Sequence, residues 1–481
     1  MDKDSRVQRK RSRNEDLERM RLEMRDTTAS IMRLIQKRMT LSKQIGEIKS
    51  TLNMNVKDEK VEEDIMNMVL GLSDEIGMSR EFSSHFLDAL LAESVRLQQI
   101  QQDYKSGNVS RLLSREKSKQ THLSIFLKAK QIEASGRRIL HMEVGEPDFS
   151  PPSEVRGALT ESFDLKHYHY SEPAGILKLR EVIAKKAGSG ISEDMIAVTV
   201  GGRFAVFATI VSLLREGDEM ISIEPAWPAY RECADFVGAN TKALKTTMAD
   251  EWIPDTRKLE EMINKRTKMI VLNYPNNPTG KILDKKILEK IVSIAKQNAI
   301  YLLSDEVYSD YSFRDFSSIL HHAYKRSIMV SSFSKSHAMT GFRVGYAIAD
   351  KEIISNITKV QATALTCVAE PMQYSALAAL KARTSENVEM VRKRLDIISN
   401  RLQRMSLCFV KPDGAMYVYP QLNNGLQGLS LVEKLLDRGV AMAPGSGFGE
   451  AYVQFIRISA CQPEDELEKG LDILESVLAN G

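Results

Sequence analysis

The chain has 481 residues, 43% of them hydrophobic and 27% charged, with a net charge of +3 at pH 7. That length suits about three domains at ~150 residues each, and the balance is that of an ordinary globular protein. So small a charge argues against nucleic acid as a partner, and no apolar run approaches membrane-spanning length.

The first element is a basic cluster, Arg9-Lys10-Arg11 and Arg13. No apolar stretch follows it, so it reads as a solvated helix start or leader, not a secretory signal. From Asn14 to Gln102 there is no proline. Leu17, Met20, Met24, Ile31, Leu34, Arg38, Leu41, Ile45 and Ile48 lie on a helical repeat. This predicts one amphipathic helix over 14–52, about 60 Å long at ~1.5 Å per residue. Two short neighbours cannot cover such a stripe, so a partner chain is expected along it. Further helices are expected over 59–74 and 79–103, the last capped by Ser79.

Charges interrupt this pattern. Arg38 occupies a stripe position and Lys49 lies eleven residues on, almost three full turns, so both point the same way. Ser94 and Gln98, spaced i, i+4, share a face of the third helix. One polar residue in a stripe is usually a snorkelling side chain or a register device. Two cations on one face and a Ser/Gln pair on another would instead build a small cationic pocket for a dianion.

Residues 104–118 are polar and basic and read as a linker. Beyond them, helical patterns alternate with β-branched runs at 220–223, 269–272, 301–304, 328–331 and 344–348, implying βαβ units and a mostly parallel sheet. Glycine and proline cluster at strand exits, where open parallel sheets bind ligands. Cys233, Cys367, Cys408 and Cys461 are far apart, which argues against structural zinc or a disulfide framework and fits a reducing cytoplasm.

Several exits carry chemistry. Lys335, in Ser332-Phe333-Ser334-Lys335, follows a strand-like run, and Arg343 comes eight residues later. An amine beside hydroxyls and a guanidinium suits carbonyl chemistry next to an anion site. Asp305 after Tyr301-Leu302-Leu303 is either a helix cap or the partner of a buried cation, such as the ring nitrogen of pyridoxal phosphate. Tyr308 or Asn277 could bond that ring's hydroxyl. Gly201-Gly202-Arg203-Phe204 opens a helix whose N–H groups suit a phosphate.

With these residues in place, the segment 119–481 resembles the fold-type I aminotransferases of the aspartate/aromatic superfamily. The resemblance implies a seven-stranded, mostly parallel large domain over about 160–355 and a small α+β domain from 119–159 and 356–481. It implies pyridoxal 5'-phosphate as cofactor, with Lys335 as its covalent partner. Contacts would come from Gly202, Arg203, Phe204, Trp227, Asn277, Asp305, Tyr308, Ser332 and Arg343. Tyr170 would reach the phosphate in the neighbouring subunit. Gly145, in Gly145-Glu146-Pro147-Asp148-Phe149, would face substrate, and Arg457 would grip its α-carboxylate.

The segment 14–103 is similar to the all-helical chorismate mutases. The most recognisable stretch is Arg38-Met39 with Ile45-Gly46-Glu47-Ile48-Lys49. That resemblance implies Arg21 and Arg38 on the two carboxylates, with Arg21 entering the partner's site. Lys49 and Gln98 would face the ether oxygen, Glu62 would hold the hydroxyl, and Asp58 and Ser94 would complete the pocket. Val61 stands where many members carry arginine; either Lys60 substitutes for it or the activity is reduced.

The expectation is a homodimeric, or higher even, bifunctional enzyme of phenylalanine and tyrosine biosynthesis. Its acceptor would be phenylpyruvate, 4-hydroxyphenylpyruvate or prephenate, with aspartate or glutamate as donor. The alternative is an aspartate-type aminotransferase whose helical arm only dimerises.

Overall fold

The computed structural model describes residues 3–52, 54–56, 58–105 and 122–479. The chain divides into two compact units, Met1–Arg115 and Glu116–Gly481.

Among the described residues, the first unit contains the helices α1 (Lys3–Thr51), α2 (Glu59–Ile76) and α3 (Arg80–Lys105). Helix α1 begins earlier than the expected 14, and α3 runs two residues into the expected linker; the remainder of 106–118 lies outside the described residues. The side chain of Asp58 caps α2 by accepting the Val61 N–H at 3.3 Å, and Gly77 ends it in the left-handed region. Ser79 Oγ accepts the Phe82 N–H at 3.4 Å at the start of α3.

Helix α1 meets α3 at a close approach: a Cβ on Gly46 would lie 2.8 Å from the Gln98 backbone. The face of α1 turned inward carries Ile35, Arg38, Ser42, Gly46 and Lys49, all at least half-buried. The apolar stripe read from the sequence looks the other way. Met20, Met24, Leu34 and Ile48 are each at least 60% exposed in the single chain.

In the second unit, β1 (Leu140–His141) precedes a seven-stranded sheet of β2 (Ile196–Thr199), β3 (Glu219–Glu224), β4 (Asn240–Lys245), β5 (Thr267–Asn273), β6 (Tyr301–Asp305), β7 (Ser327–Ser332) and β8 (Gly345–Ile348). Its order is β2-β8-β7-β6-β5-β3-β4, and β8 is antiparallel to both neighbours. The central strands are buried on both faces, which is why they read as continuous apolar runs. The edge strand β4, Asn-Thr-Lys-Ala-Leu-Lys, is half exposed and carries no such signal. Apolar side chains pack on both faces of this sheet.

Four short strands follow: β9 (Tyr417–Val418), β10 (Val440–Ala441), β11 (Ala443–Pro444) and β12 (Ile456–Ser459). They pair as β11-β12-β9 and as β1-β10, over a separate core that includes the helices Ser385–Arg404 and Glu464–Ala479.

Candidate active site

The carboxyl ends of β3, β5, β6 and β7 converge on a cavity of about 320 Å³. Strand β7 runs into a four-residue helix, Phe333–Ser336, that delivers Lys335. Its Nζ donates to the Gly145 carbonyl at 2.5 Å. Burial lowers the pKa of this amine, favouring the neutral, nucleophilic form.

Asp305 ends β6 inside the protein. Tyr230 Oη donates to Asp305 Oδ2 at 2.6 Å, and the Val307 N–H reaches Oδ1 at 3.3 Å. Burial pushes this carboxyl up to about 6, so it is poised to pair with a cation. Tyr308 Oη shares a 2.7 Å hydrogen bond with Tyr417 Oη. Burial raises both phenols, Tyr417 to about 12, so both stay protonated at neutral pH.

At one end lies an anion cradle. The helix Gly201–Leu213 has no side-chain cap, which leaves its first N–H groups free of that competitor. Gly201 is left-handed (φ +74°), and a Cβ there would come within 2.7 Å of the Arg343 guanidinium. Arg343 donates to the Thr340 carbonyl at 2.8 Å. Ser332 Oγ donates to Ser334 Oγ at 2.9 Å.

Arg457, on β12, is almost fully buried. It donates to Asn277 Oδ1 at 2.9 Å and to the Glu143 carbonyl, and its guanidinium carbon lies 4.4 Å from the Tyr417 ring centroid and 5.0 Å from that of Phe448. Arg203 stacks on Trp227 at 4.6 Å.

Thus Gly145, Gly202, Arg203, Trp227, Asn277, Asp305, Tyr308, Ser332, Lys335, Arg343 and Arg457 share one cavity. One residue expected in it does not line it. The Phe204 side chain packs against Phe207, because its helical position turns it from the cavity into the core. Tyr170, expected to serve a neighbouring subunit and not this cavity, is 87% exposed. Sequence reasoning assigns no role to Tyr230, Asn273, Ser334 or Tyr417, which also line the cavity. Ser334 stands inside the Lys335 motif and Tyr230 lies three residues after Trp227; those are the local signals. Tyr417 arrives only through the fold.

In the first unit, Arg38 donates to Ser94 Oγ and, at 3.1 Å, to the Leu90 carbonyl. Lys49 Nζ donates to the Val56 carbonyl at 2.6 Å. Gln98 is buried and its Oε1 has no partner among the described residues. Glu62 is half-buried. Arg21 does not join this group: it is exposed and ion-paired with Glu18 at 2.7 Å, because it faces about 100° away from Arg38 on α1.

The second unit therefore defines a lysine-bearing transferase site with an anion cradle, a buried acid and a carboxylate clamp. The model for aminotransferase class I and II matches residues 137–474, and that for chorismate mutase type II matches residues 20–99. An aspartate aminotransferase of Thermotoga maritima is 33% identical over 364 residues, covering 74% of this chain and 96% of that protein. An aspartate/prephenate aminotransferase of Thermus thermophilus is 32% identical over 368 residues, covering 74% and 95%. The crystal structure of the Thermotoga maritima enzyme superposes with a TM-score of 0.73, covering 77% of this chain and all of that one. The chain belongs to the class I/II aminotransferases, of fold type I, and carries a type II chorismate mutase domain at its amino-terminal side. It is an enzyme with transferase and isomerase domains, and its cofactor is pyridoxal phosphate.

The cavity fits that cofactor. A cradle of N–H groups and Arg343 suits the phosphate, the buried Asp305 suits a cationic ring nitrogen, and Lys335 suits the aldehyde. Among the described residues, no helix is long and apolar enough to cross a membrane.

Proposed function

We propose that the first unit converts chorismate to prephenate and that the second transfers an amino group to an aromatic 2-oxo acid or to prephenate, in phenylalanine or tyrosine biosynthesis. Aspartate or glutamate is the donor. The observation that carries the second half is that, besides Arg343 in the anion cradle, the cavity holds two further arginines, Arg457 and Arg203. Arg457 is buried and suits an α-carboxylate. Arg203 is held by a ring face alone, with no ion pair among the described residues, and suits a second carboxylate such as that of aspartate or prephenate. A relative named for aspartate and prephenate supports the same substrate class.

Bound pyridoxal phosphate supplies an aldehyde and an electron-accepting ring. The protein's residues do the rest. Asp305 holds a proton at the ring nitrogen, with Tyr230 fixing its second oxygen. Arg457 orients the substrate through its carboxylate, and Lys335, once free, carries a proton to and from the substrate Cα.

In the first unit no nucleophile is required. Arg38, fixed by Ser94, holds a carboxylate, and Lys49 with the amide nitrogen of Gln98, a donor, faces the ether oxygen. Asp58 and Glu62 complete the hydroxyl side. The exposed apolar stripe of α1 is covered by a second copy, which also supplies Arg21, and Tyr170 serves the phosphate of a partner subunit.

A donor and acceptor panel that includes prephenate, together with a chorismate-consumption assay, tests this reading. Val61, 49% exposed where the resemblance expects arginine, favours the second reading of a non-catalytic arm. Unchanged chorismate with active transamination would establish it.

A further inference from the structure

The segment that carries Arg457's backbone ligand has an ionic device behind it. Glu143 follows β1, and its carbonyl accepts from the Arg457 guanidinium. The backbone just before it is stitched on both sides: the Met142 N–H donates to Ala441 at 2.9 Å, and the Met142 carbonyl accepts the Ser459 N–H at 2.9 Å. The Glu143 side chain is fully buried. One oxygen lies 2.8 Å from His141 Nδ1, and the other has no partner among the described residues.

On its far side, His141 Nε2 lies 3.1 Å from Glu133 Oε1 in the helix His122–Ala134. Glu133 is in turn paired with Lys130 at 2.8 Å. His141 thus stands between two carboxylates, hydrogen-bonded to Glu143 through Nδ1 and at ion-pair distance from Glu133 through an Nε2 that makes no hydrogen bond among the described residues, and both acids favour the charged ring.

We propose that His141 and Glu143 are positioning residues for Arg457, coupling the protonation of an imidazole near the surface to the grip on a substrate carboxylate. This rests on the reading of Arg457 as the carboxylate clamp. Losing the imidazolium charge leaves a fully buried carboxylate facing only a neutral Nδ1–H, with no cation to offset it. Glu143 must then take up a proton or shift, and its carbonyl, which helps aim Arg457, shifts with it.

The charged groups around His141 are few. Glu143 lies on its own segment, and Glu133 and Lys130 lie on the helix. The paired residues of β10, Val440 and Ala441, carry no charge, and β12 contributes Arg457 through the Glu143 carbonyl. The Glu143 contact is the largest influence on the ring and holds its pKa above the ordinary histidine value. The grip is therefore complete below that raised value and weakens as pH rises through it.

The test measures KM and kcat for the amino-acid half-reaction of the holoenzyme from about pH 6 to about pH 9. It compares the parent with His141→Gln, Glu143→Gln and Arg457→Lys, using an amine without a carboxylate as control substrate. We expect both positioning variants to raise KM for the amino acid about tenfold, the scale of one charge-assisted contact. Saturated kcat, cofactor affinity and kinetics with the control amine stay unchanged. The parent KM rises at alkaline pH, and His141→Gln removes that rise.

If Arg457→Lys raises KM and neither positioning variant does, the coupling is wrong while the clamp stands. If Arg457→Lys leaves KM unchanged, the clamp reading fails first. A fall in cofactor affinity in step with kcat would mark His141 and Glu143 as merely structural. His141→Gln decides the question even if Glu143→Gln does not fold, because its ring lies nearer the surface.

Discussion

Asp305→Asn probes the floor of the cavity through the stability of the cofactor-free protein. Burial moves the Asp305 carboxyl from 3.8 to about 6. Because the folded-state value is raised, the folded protein holds this proton where the unfolded chain has released it. Stability is therefore full below the unfolded value, falls as pH rises through the window between the two, and stays low above about 6. A shift of about two units at ~1.36 kcal/mol per unit amounts to roughly 3 kcal/mol. Asparagine carries no such charge. It keeps an acceptor for Tyr230 but cannot satisfy both present donors with one oxygen, a loss of about 1 kcal/mol at every pH.

The difference between variant and parent should thus move in the variant's favour by on the order of 3 kcal/mol across this window and then plateau. Glu306, raised by burial to about 7, titrates in both proteins, so only the small part of its shift that comes from the Asp305 charge survives in the difference. The assay is urea unfolding of cofactor-stripped protein at several pH values, followed by tryptophan fluorescence. Both tryptophans, Trp227 and Trp252, lie in the second unit, so the signal reports that unit alone. A difference that does not change with pH would refute the account of Asp305 as a buried, cation-seeking acid. Adding cofactor should reverse the order, because only the aspartate gains from a positive ring nitrogen.

Arg38→Ala should lower chorismate consumption by on the order of 10²–10³, with transamination untouched, in a coupled comparison of the two activities. Tyr230→Phe removes the 2.6 Å bond that fixes Asp305 and should weaken cofactor binding about tenfold by equilibrium dialysis. Arg203→Ala should raise KM for aspartate and prephenate about tenfold and leave an aromatic monocarboxylate within about twofold in the substrate panel.

What could be read beforehand follows from how locally each feature is encoded. The strands β3, β5, β6 and β7 were legible because parallel strands buried on both faces are continuous apolar runs. The edge strand β4 was not, because half of it meets water and its Lys-rich sequence has no period. Lys335 and Asp305 were legible because each stands at a strand exit within a distinctive run, and Arg343 because it stands in such a run just before β8. Tyr417 and Tyr230 were not, since what gives them meaning is the oxygen each faces, 109 and 75 residues away in sequence.

In the first unit the helical period was legible, but which neighbour covers each face was not. The apolar stripe of α1 is exposed, and the polar positions Arg38, Ser42 and Lys49 face inward. A hydrophobic period reports burial in the assembled state and does not say which neighbour does the burying. The Glu133–His141–Glu143 chain is invisible to any local reading, because it joins a helix to a strand through a single imidazole.

The central claim is that Lys335 is the residue that carries the cofactor. Reducing the holoenzyme with borohydride and mapping its peptides by mass spectrometry tests this directly. The account predicts a pyridoxyl-phosphate mass on Lys335, and loss of both that label and the visible absorbance in Lys335→Ala. A label on another lysine, or an unchanged visible band in Lys335→Ala, would contradict it.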